Sequence, residues 1–181
     1  MKDSTREGRV WVLLGKEGKL IEDIDTDQIY HNQFLHITEM SQMGQYALGN
    51  LEGWKDFSRQ AERGDILVAG RNFGAGSSRQ QAVDCFTALG LGLILAPSFG
   101  AIYFRNAVNS GFPVLKCFDL ETLITKKVLE TGDVVEFDFK KGEGRNVSKN
   151  KTFSFEPMSP VQWDIFLADG LFNYGKMIKH P

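Results

Sequence analysis

At 181 residues the chain is long enough for one domain with a sizeable core and too short for two domains of ordinary size, so a single domain over residues 1–181 is expected. A hydrophobic share of 42% and a charged share of 24% are ordinary for a soluble globular protein, and no apolar run approaches bilayer length, so no membrane span is expected. The net charge of −2 gives no bulk field to gather nucleic acid or anionic lipid, so any anionic ligand must be held by a local cluster.

The start, Met1-Lys2-Asp3-Ser4-Thr5, lacks the basic and apolar stretches of a secretory signal, which predicts a cytoplasmic protein. Residues 9–14 read as a strand and 15–18 as a turn. Glu22 to Ile29 carries several acids without helical or strand period; with residues 30–36 it reads as a functional loop. From Thr38 to Ala61, apolar residues at three- and four-residue spacing predict helical pieces separated by Gly49 and Gly53.

Residues 65–69 form a short apolar strand that runs directly into Gly70-Arg71-Asn72-Phe73-Gly74-Ala75-Gly76-Ser77-Ser78-Arg79. Ala82, Val83, Phe86 and Leu89 then repeat at helical spacing, with Ser77 or Ser78 as the expected cap and Gly90 and Gly92 as the stop. A strand at 93–96, a helix at 99–109 with Ile102, Tyr103, Ala107 and Val108 inward, and a strand at 113–118 complete the pattern. Such strand–helix–strand units predict an α/β core with a short parallel sheet. Beyond it, 133–139 alternates as a strand, 140–151 reads as an exposed hairpin or loop, 152–155 as the partner strand, and 160–168 as a short helix.

The glycine-rich segment is where chemistry is expected. Its glycines allow close backbone approach, and Ser77, Ser78 and Arg79 stand before a helix whose first N–H groups favour negative charge. Arginine suits a carboxylate because its planar fork donates two parallel, charge-assisted hydrogen bonds, so Arg79 is the first substrate-binding candidate. No lysine follows as in a nucleotide-binding loop, and the third glycine of the dinucleotide fingerprint is missing. Cys85 and Cys117, the only cysteines, lack the spacing of a metal or cluster site and read as buried thiols.

Residues 70–79 resemble the G-x-N-F-G-x-G-S-S-R signature of isopropylmalate dehydratase small subunits and of the swivel domain of aconitases. Asp25-Thr26-Asp27-Gln28-Ile29 resembles the D-T-D-x-I segment of the same superfamily, and the likeness continues through Ala96-Pro97-Ser98-Phe99 and Asn106 to Gly111-Phe112-Pro113. The resemblance implies an aconitase-type swivelling α/β domain with β/β/α layers, and a hydro-lyase that dehydrates or isomerises a small 2-hydroxy acid. It further implies a large subunit carrying a [4Fe–4S] cluster, so that this chain binds no cofactor by itself, and leaves open that isolated copies pair with each other.

By position in the motif, Ser77 is implied as the base, acting as an alkoxide. Ser78 is implied as a hydrogen-bond donor and Arg79 as the carboxylate ligand; Asp27, counted with Ser77 as catalytic, and Thr26, counted with Ser78 and Arg79 as substrate-binding, are implied to organise these groups at the edge of the site. Asp25 is expected to be structural, and His31 and His36 to be solvated or packed and not metal ligands. Phe34-Leu35-His36-Ile37 occupies the family's specificity segment. His36 and Ile37 suit an alkyl substituent, as in isopropylmalate or dimethylmalate, although a protonated His36 could serve the extra carboxylate of homoaconitate. Gln80-Gln81 departs from the usual glutamate followed by histidine or glutamine. The competing readings are a non-catalytic anion-binding or regulatory module and a phosphate-binding enzyme, the latter disfavoured because its lysine and magnesium-binding acids are missing.

Overall fold

The computed structural model describes residues 3–179. In chain order the elements are β1 (Thr5–Val12), α1 (Thr26–Ile29), α2 (Phe57–Gln60), β2 (Ile66–Val68), α3 (Gln81–Leu89), β3 (Leu93–Ala96) and α4 (Ala101–Asn109). They are followed by β4 (Val114–Lys116), α5 (Leu120–Thr125), β5 (Val134–Asp138), β6 (Glu143–Asn146), β7 (Lys151–Ser154), α6 (Pro160–Leu167) and α7 (Leu171–Lys179). The seven strands form one curled sheet in the order β4-β3-β2-β1-β5-β6-β7.

Strands β1 to β4 are parallel to one another, while β5, β6 and β7 continue the sheet in antiparallel sense. The junction is β1, whose Val10–Val12 pairs with β2 and whose Thr5–Arg9 pairs with β5. Every residue of β2 and β3 is buried, as a parallel strand covered on both faces requires, whereas β5 and β6 alternate between buried and more exposed positions.

Two cores follow from the two-residue period of the strands. Leu67, Ala69, Ile94 and Ala96 face one way, into a core with Ile24, Ile29, Phe73, Phe86 and Tyr103 contributed by the helices and the glycine-rich loop. Val10, Val12, Ile66, Val68, Leu93 and Leu95 face the other way, against Phe137, Phe153 and Phe155 of the antiparallel half. The expected α/β layering of two β layers and a helical layer is therefore observed.

Four expectations need correction or narrowing. The helical pieces between 38 and 61 are two short 3-10 turns, Met40–Gln42 and Gly44–Tyr46, and the single turn α2. Glycine interrupts them before an α-helix can propagate past its costly first turn. Helix α3 starts at Gln81, after a Gln80 in helical conformation, and neither Ser77 nor Ser78 caps it. Gly76 at φ 92° and an Arg79 N–H bond to the Ser77 carbonyl (2.9 Å) turn the chain first.

The third decides between two alternatives: the segment 140–151, expected as an exposed hairpin or loop, contains β6, which pairs with β7 as a hairpin. Glu143-Gly144-Arg145-Asn146 has little strand propensity, but the missing side chain of Gly144 makes room for the Phe153 ring. Lastly, Ile102 is 38% exposed, while Tyr103 and Ala107 are buried as expected. Helices α5 and α7 were not anticipated.

Phe86 is fully buried and lies 6.2 Å, centroid to centroid, from Phe73 at the root of the glycine-rich loop. Phe86→Ala should lower stability by about 3–5 kcal/mol, measured by urea denaturation, with the loop loosened because Phe73 loses a packing partner.

Candidate active site

The loop after β2 is held by a second segment that lies along it. Gly70 N–H donates to the Ile21 carbonyl, Asp23 N–H to Arg71, both Gly74 and Ala75 N–H to Ile24, and Thr26 N–H to Ala75. Asp25 and Ala75 form a parallel bridge. Asp23 and Asn72 both adopt positive φ, 53° and 55°, and their side chains meet, Asn72 Nδ2 donating to Asp23 Oδ1 at 2.7 Å.

A third segment holds the other side. Asn72 N–H donates to Ser98 Oγ, Phe73 N–H to the Ser98 carbonyl and Gly100 N–H to the Phe73 carbonyl. Gly74, at φ 78°, lies against the Tyr103 ring so closely that a Cβ there would collide with it. The three motif segments distant in sequence are thus one structural unit, with the backbone hydrogen bonds of the loop used to fix its path.

Helix α1 is a single turn made possible by its caps. Asp25 accepts from the N–H groups of Asp27 and Gln28, and Gln28 returns a bond from its side chain to the Asp25 N–H (2.9 Å), a complete capping box. Asp25 is accordingly structural. The turn sets Thr26 and Asp27 over the end of the glycine-rich loop, where Thr26 Oγ1 lies 3.1 Å from Ser77 Oγ.

Arg79 spans the two segments. Its Nη1 donates to Asp27 Oδ1 (2.9 Å), the Tyr30 carbonyl (2.6 Å) and the Thr26 carbonyl (3.2 Å). Its side chain is 13% exposed and that of Asp27 37%. Among the described residues no buried polar side-chain atom lacks a partner, and no bond is formed by Arg79 Nη2 or Nε, so those donors reach solvent. One edge of the guanidinium is clamped and the other is presented.

Asp27 is a positioning group in this arrangement. Oδ1 also accepts the Asn32 N–H (3.0 Å), and Oδ2 lies 3.3 Å from Asn50 Nδ2 and 3.9 Å from His31 Nε2. The Arg79 hydrogen bond, helped by the Asn32 N–H and His31 and opposed by partial burial, holds its carboxyl below the usual carboxylate range. Asn50 and the Tyr30 carbonyl were missed in the sequence. Asn50 stands alone between Gly49 and Leu51, and a carbonyl carries no side-chain signature.

Gly76, Ser77 and Ser78 are exposed, and their three N–H groups form no hydrogen bond among the described residues, leaving a short run of donors beside the Ser77 hydroxyl. His36 and Ile37 lie farther along the loop after α1. His36 is exposed with Nδ1 2.9 Å from the Gln33 carbonyl, and Ile37 packs partly against the core. No hydrogen bond among the described residues joins either to Ser77 or Arg79.

The residues of this chain do not fit an iron–sulfur cluster. Cys85 and Cys117 are both buried, in the two different cores on opposite faces of the sheet. Burial pushes the Cys117 thiol up to about 11 and that of Cys85 higher still, away from the thiolate a cluster needs. A cleft of about 820 Å³, floored by Val12, Leu14, Leu20 and Leu129, contains none of the site residues. At the serine–arginine site Gly76, Ser77 and Ser78 are exposed and Arg79 is partly buried.

Because the Asp27 pKa is lowered in the folded state, its pairing stabilises the fold above the ordinary carboxylate pKa and is lost as pH falls through the depressed value. Asp27→Asn should lower the melting temperature near neutral pH and flatten this part of the acid limb in melting curves across pH. An unchanged limb would mean that the pair contributes nothing.

Comparison with known proteins accords with the geometry. The family profile described as Aconitase C-terminal domain matches residues 15–117. A 3-isopropylmalate dehydratase small subunit of Caldicellulosiruptor saccharolyticus is 38% identical over 165 residues, covering 91% of each chain. A 3-isopropylmalate dehydratase small subunit 1 of Archaeoglobus fulgidus is 33% identical over 92% of this chain and 98% of its own. The crystal structure of 3-isopropylmalate dehydratase from Methanocaldococcus jannaschii superposes with a TM-score of 0.82 at 32% identity, over 97% of this chain and 95% of that one. The motifs, the layered sheet and these matches over nearly the full length agree, and the chain belongs to the 3-isopropylmalate dehydratase small-subunit family of the aconitase superfamily.

Proposed function

We propose that residues 1–181 form one swivel domain that acts as the small subunit of a cytoplasmic hydro-lyase, isomerising 3-isopropylmalate in leucine biosynthesis with a large partner. The observation that carries this reading is the exposed Ser77 hydroxyl set between Thr26 and a run of free N–H groups, with Arg79 anchored beside it. The large partner is assigned the [4Fe–4S] cluster, which supplies a Lewis acid for the departing hydroxyl.

The residues of this chain handle the substrate's carboxylate and one proton. The free donors of Arg79 bind a carboxylate of the 2-hydroxy acid, with Ser78 as an additional donor. Ser77 Oγ, as the alkoxide, takes the proton from the carbon next to that carboxylate and becomes the neutral hydroxyl; the electron pair left behind forms the double bond as hydroxyl departs. Re-addition of water to the other carbon returns the proton from the base. A serine is a poor base in water, so its anion depends on the Thr26 hydroxyl at 3.1 Å, the N–H run and the nearby guanidinium. Since Gly76, Ser77 and Ser78 are exposed, a covering partner is needed to exclude water and strengthen these interactions.

His36 bears on the choice of acid. A carbonyl only accepts, so Nδ1 donates to Gln33 and this edge of the ring is turned to the backbone. The apolar Ile37 that follows suits an alkyl group, which favours isopropylmalate, or dimethylmalate, over homoaconitate.

Purified anaerobically with its cluster-bearing partner, the complex should turn over isopropylmalate, and the same chain by itself should not. Ser77→Ala should lower kcat by about 10²–10⁴-fold, the range for losing a positioned base. Arg79→Lys should raise KM, because lysine cannot replace the planar fork. Full turnover by the Ser77 variant would remove the assignment of the base.

A further inference from the structure

Gln80, the residue directly after Arg79, makes two hydrogen bonds through one nitrogen. Nε2 donates to Asp84 Oδ1 at 2.8 Å and to Ser110 Oγ at 2.9 Å. The directions are fixed by what surrounds them. The Ser110 hydroxyl spends its proton on the Asn106 carbonyl (2.9 Å), so towards Gln80 it can only accept, as can an ionised carboxylate. Position 80 therefore requires a side chain with two N–H donors and no negative charge.

The tie lies where it controls the site. The Gln80 carbonyl accepts the N–H groups of Val83 (2.9 Å) and Asp84 (3.0 Å), which starts α3, and Ser110 closes the end of α4. Tyr103 of α4 packs on Gly74, and its hydroxyl donates to the Ala82 carbonyl of α3 (3.3 Å). The stretch between Gly74 and Gln80 is thus pinned at both ends to the same pair of helices, with Ser77 and Arg79 between the pins.

Burial pushes the Asp84 carboxyl up, and the Gln80 bond draws it part of the way back. The titratable groups that face it among the described residues are Cys85 on its own helix and Tyr103 from α4, both kept protonated by burial. Among the described residues no ion pair to Asp84 is formed that would compensate a second carboxylate.

We propose that Gln80 is a positioning residue for the Ser77–Arg79 loop, with a neutral amide donor at this position required to lock α3 to the end of α4 beside a carboxylate. The inference deepens the proposed function and rests on that reading for its effect on turnover. With glutamate at 80, two carboxyls would share one proton, as close like charges do, and the tie would hold only while that proton is bound.

The test compares wild type, Gln80→Glu and Gln80→Glu/Asp84→Asn in the holo-complex over a pH series. The folded pair would keep its proton to higher pH than the unfolded chain, so both stability and loop order fall as pH rises through that shared ionisation. Gln80→Glu should lose on the order of tenfold in kcat/KM across this window, where wild type does not. The double variant leaves a single carboxylate, so no proton is shared and the wild-type pH profile should return, while the lost donor to Ser110 keeps kcat/KM below wild type at every pH. A Gln80→Glu profile parallel to wild type, or a double variant no better than the single, overturns the proposal.

Melting temperatures of the full chain over the same pH series form the second arm. Gln80→Glu should fall relative to wild type as pH rises, with recovery in the double variant, and equal pH dependence in all three overturns the tie. Should the wild-type complex convert no tested 2-hydroxy acid, the functional reading fails, and the melting arm still decides the tie.

Discussion

The site depends on the antiphonal stitching of two chain segments, 21–26 and 70–75, by backbone hydrogen bonds that leave the motif side chains free. Neither segment has regular structure of its own, and each supplies the partners the other lacks. Arg79, a few residues past the second segment, closes the seam by reaching three oxygens of Thr26, Asp27 and Tyr30. Without that bond set, α1 would be a single capped turn of four residues, far below the length at which a helix stands by itself.

The sheet gives this seam a rigid floor. Its parallel half is buried on both faces because the antiparallel half curls beneath it, so the strand ends from which the loops leave have little freedom. Phe73 carries this rigidity into the loop: it is fully buried, pairs edge-on with Tyr103 at 5.3 Å and Phe99 at 6.3 Å, and stands immediately before Gly74. A packed aromatic anchor next to exposed polar residues separates what holds the loop from what acts on a ligand.

Much of this was legible in the residues. The parallel strands, α3 and α4 follow from apolar period and glycine stops, and the turn that 70–79 makes between β2 and α3 follows from its glycines. The position of Thr26 against Ser77 was reached only through resemblance, since nothing local in either segment specifies a partner some fifty residues away. The sequence leaves hairpin and loop open over 140–151 because the fit of β6 comes from an aromatic ring lying over a glycine, which is a tertiary contact. The serine cap failed for a related reason: Ser77 is committed to Thr26 across the seam, and α3 begins only after the turn at Arg79.

The exposed setting of Ser77 carries a consequence for how the proposed reaction is kept under control. A strongly basic oxygen exposed to bulk water is quenched at once, since solvent outcompetes any carbon acid for it. With the base role proposed for Ser77, reactivity would exist only for as long as a second protein roofs the loop, and assembly itself would act as the switch.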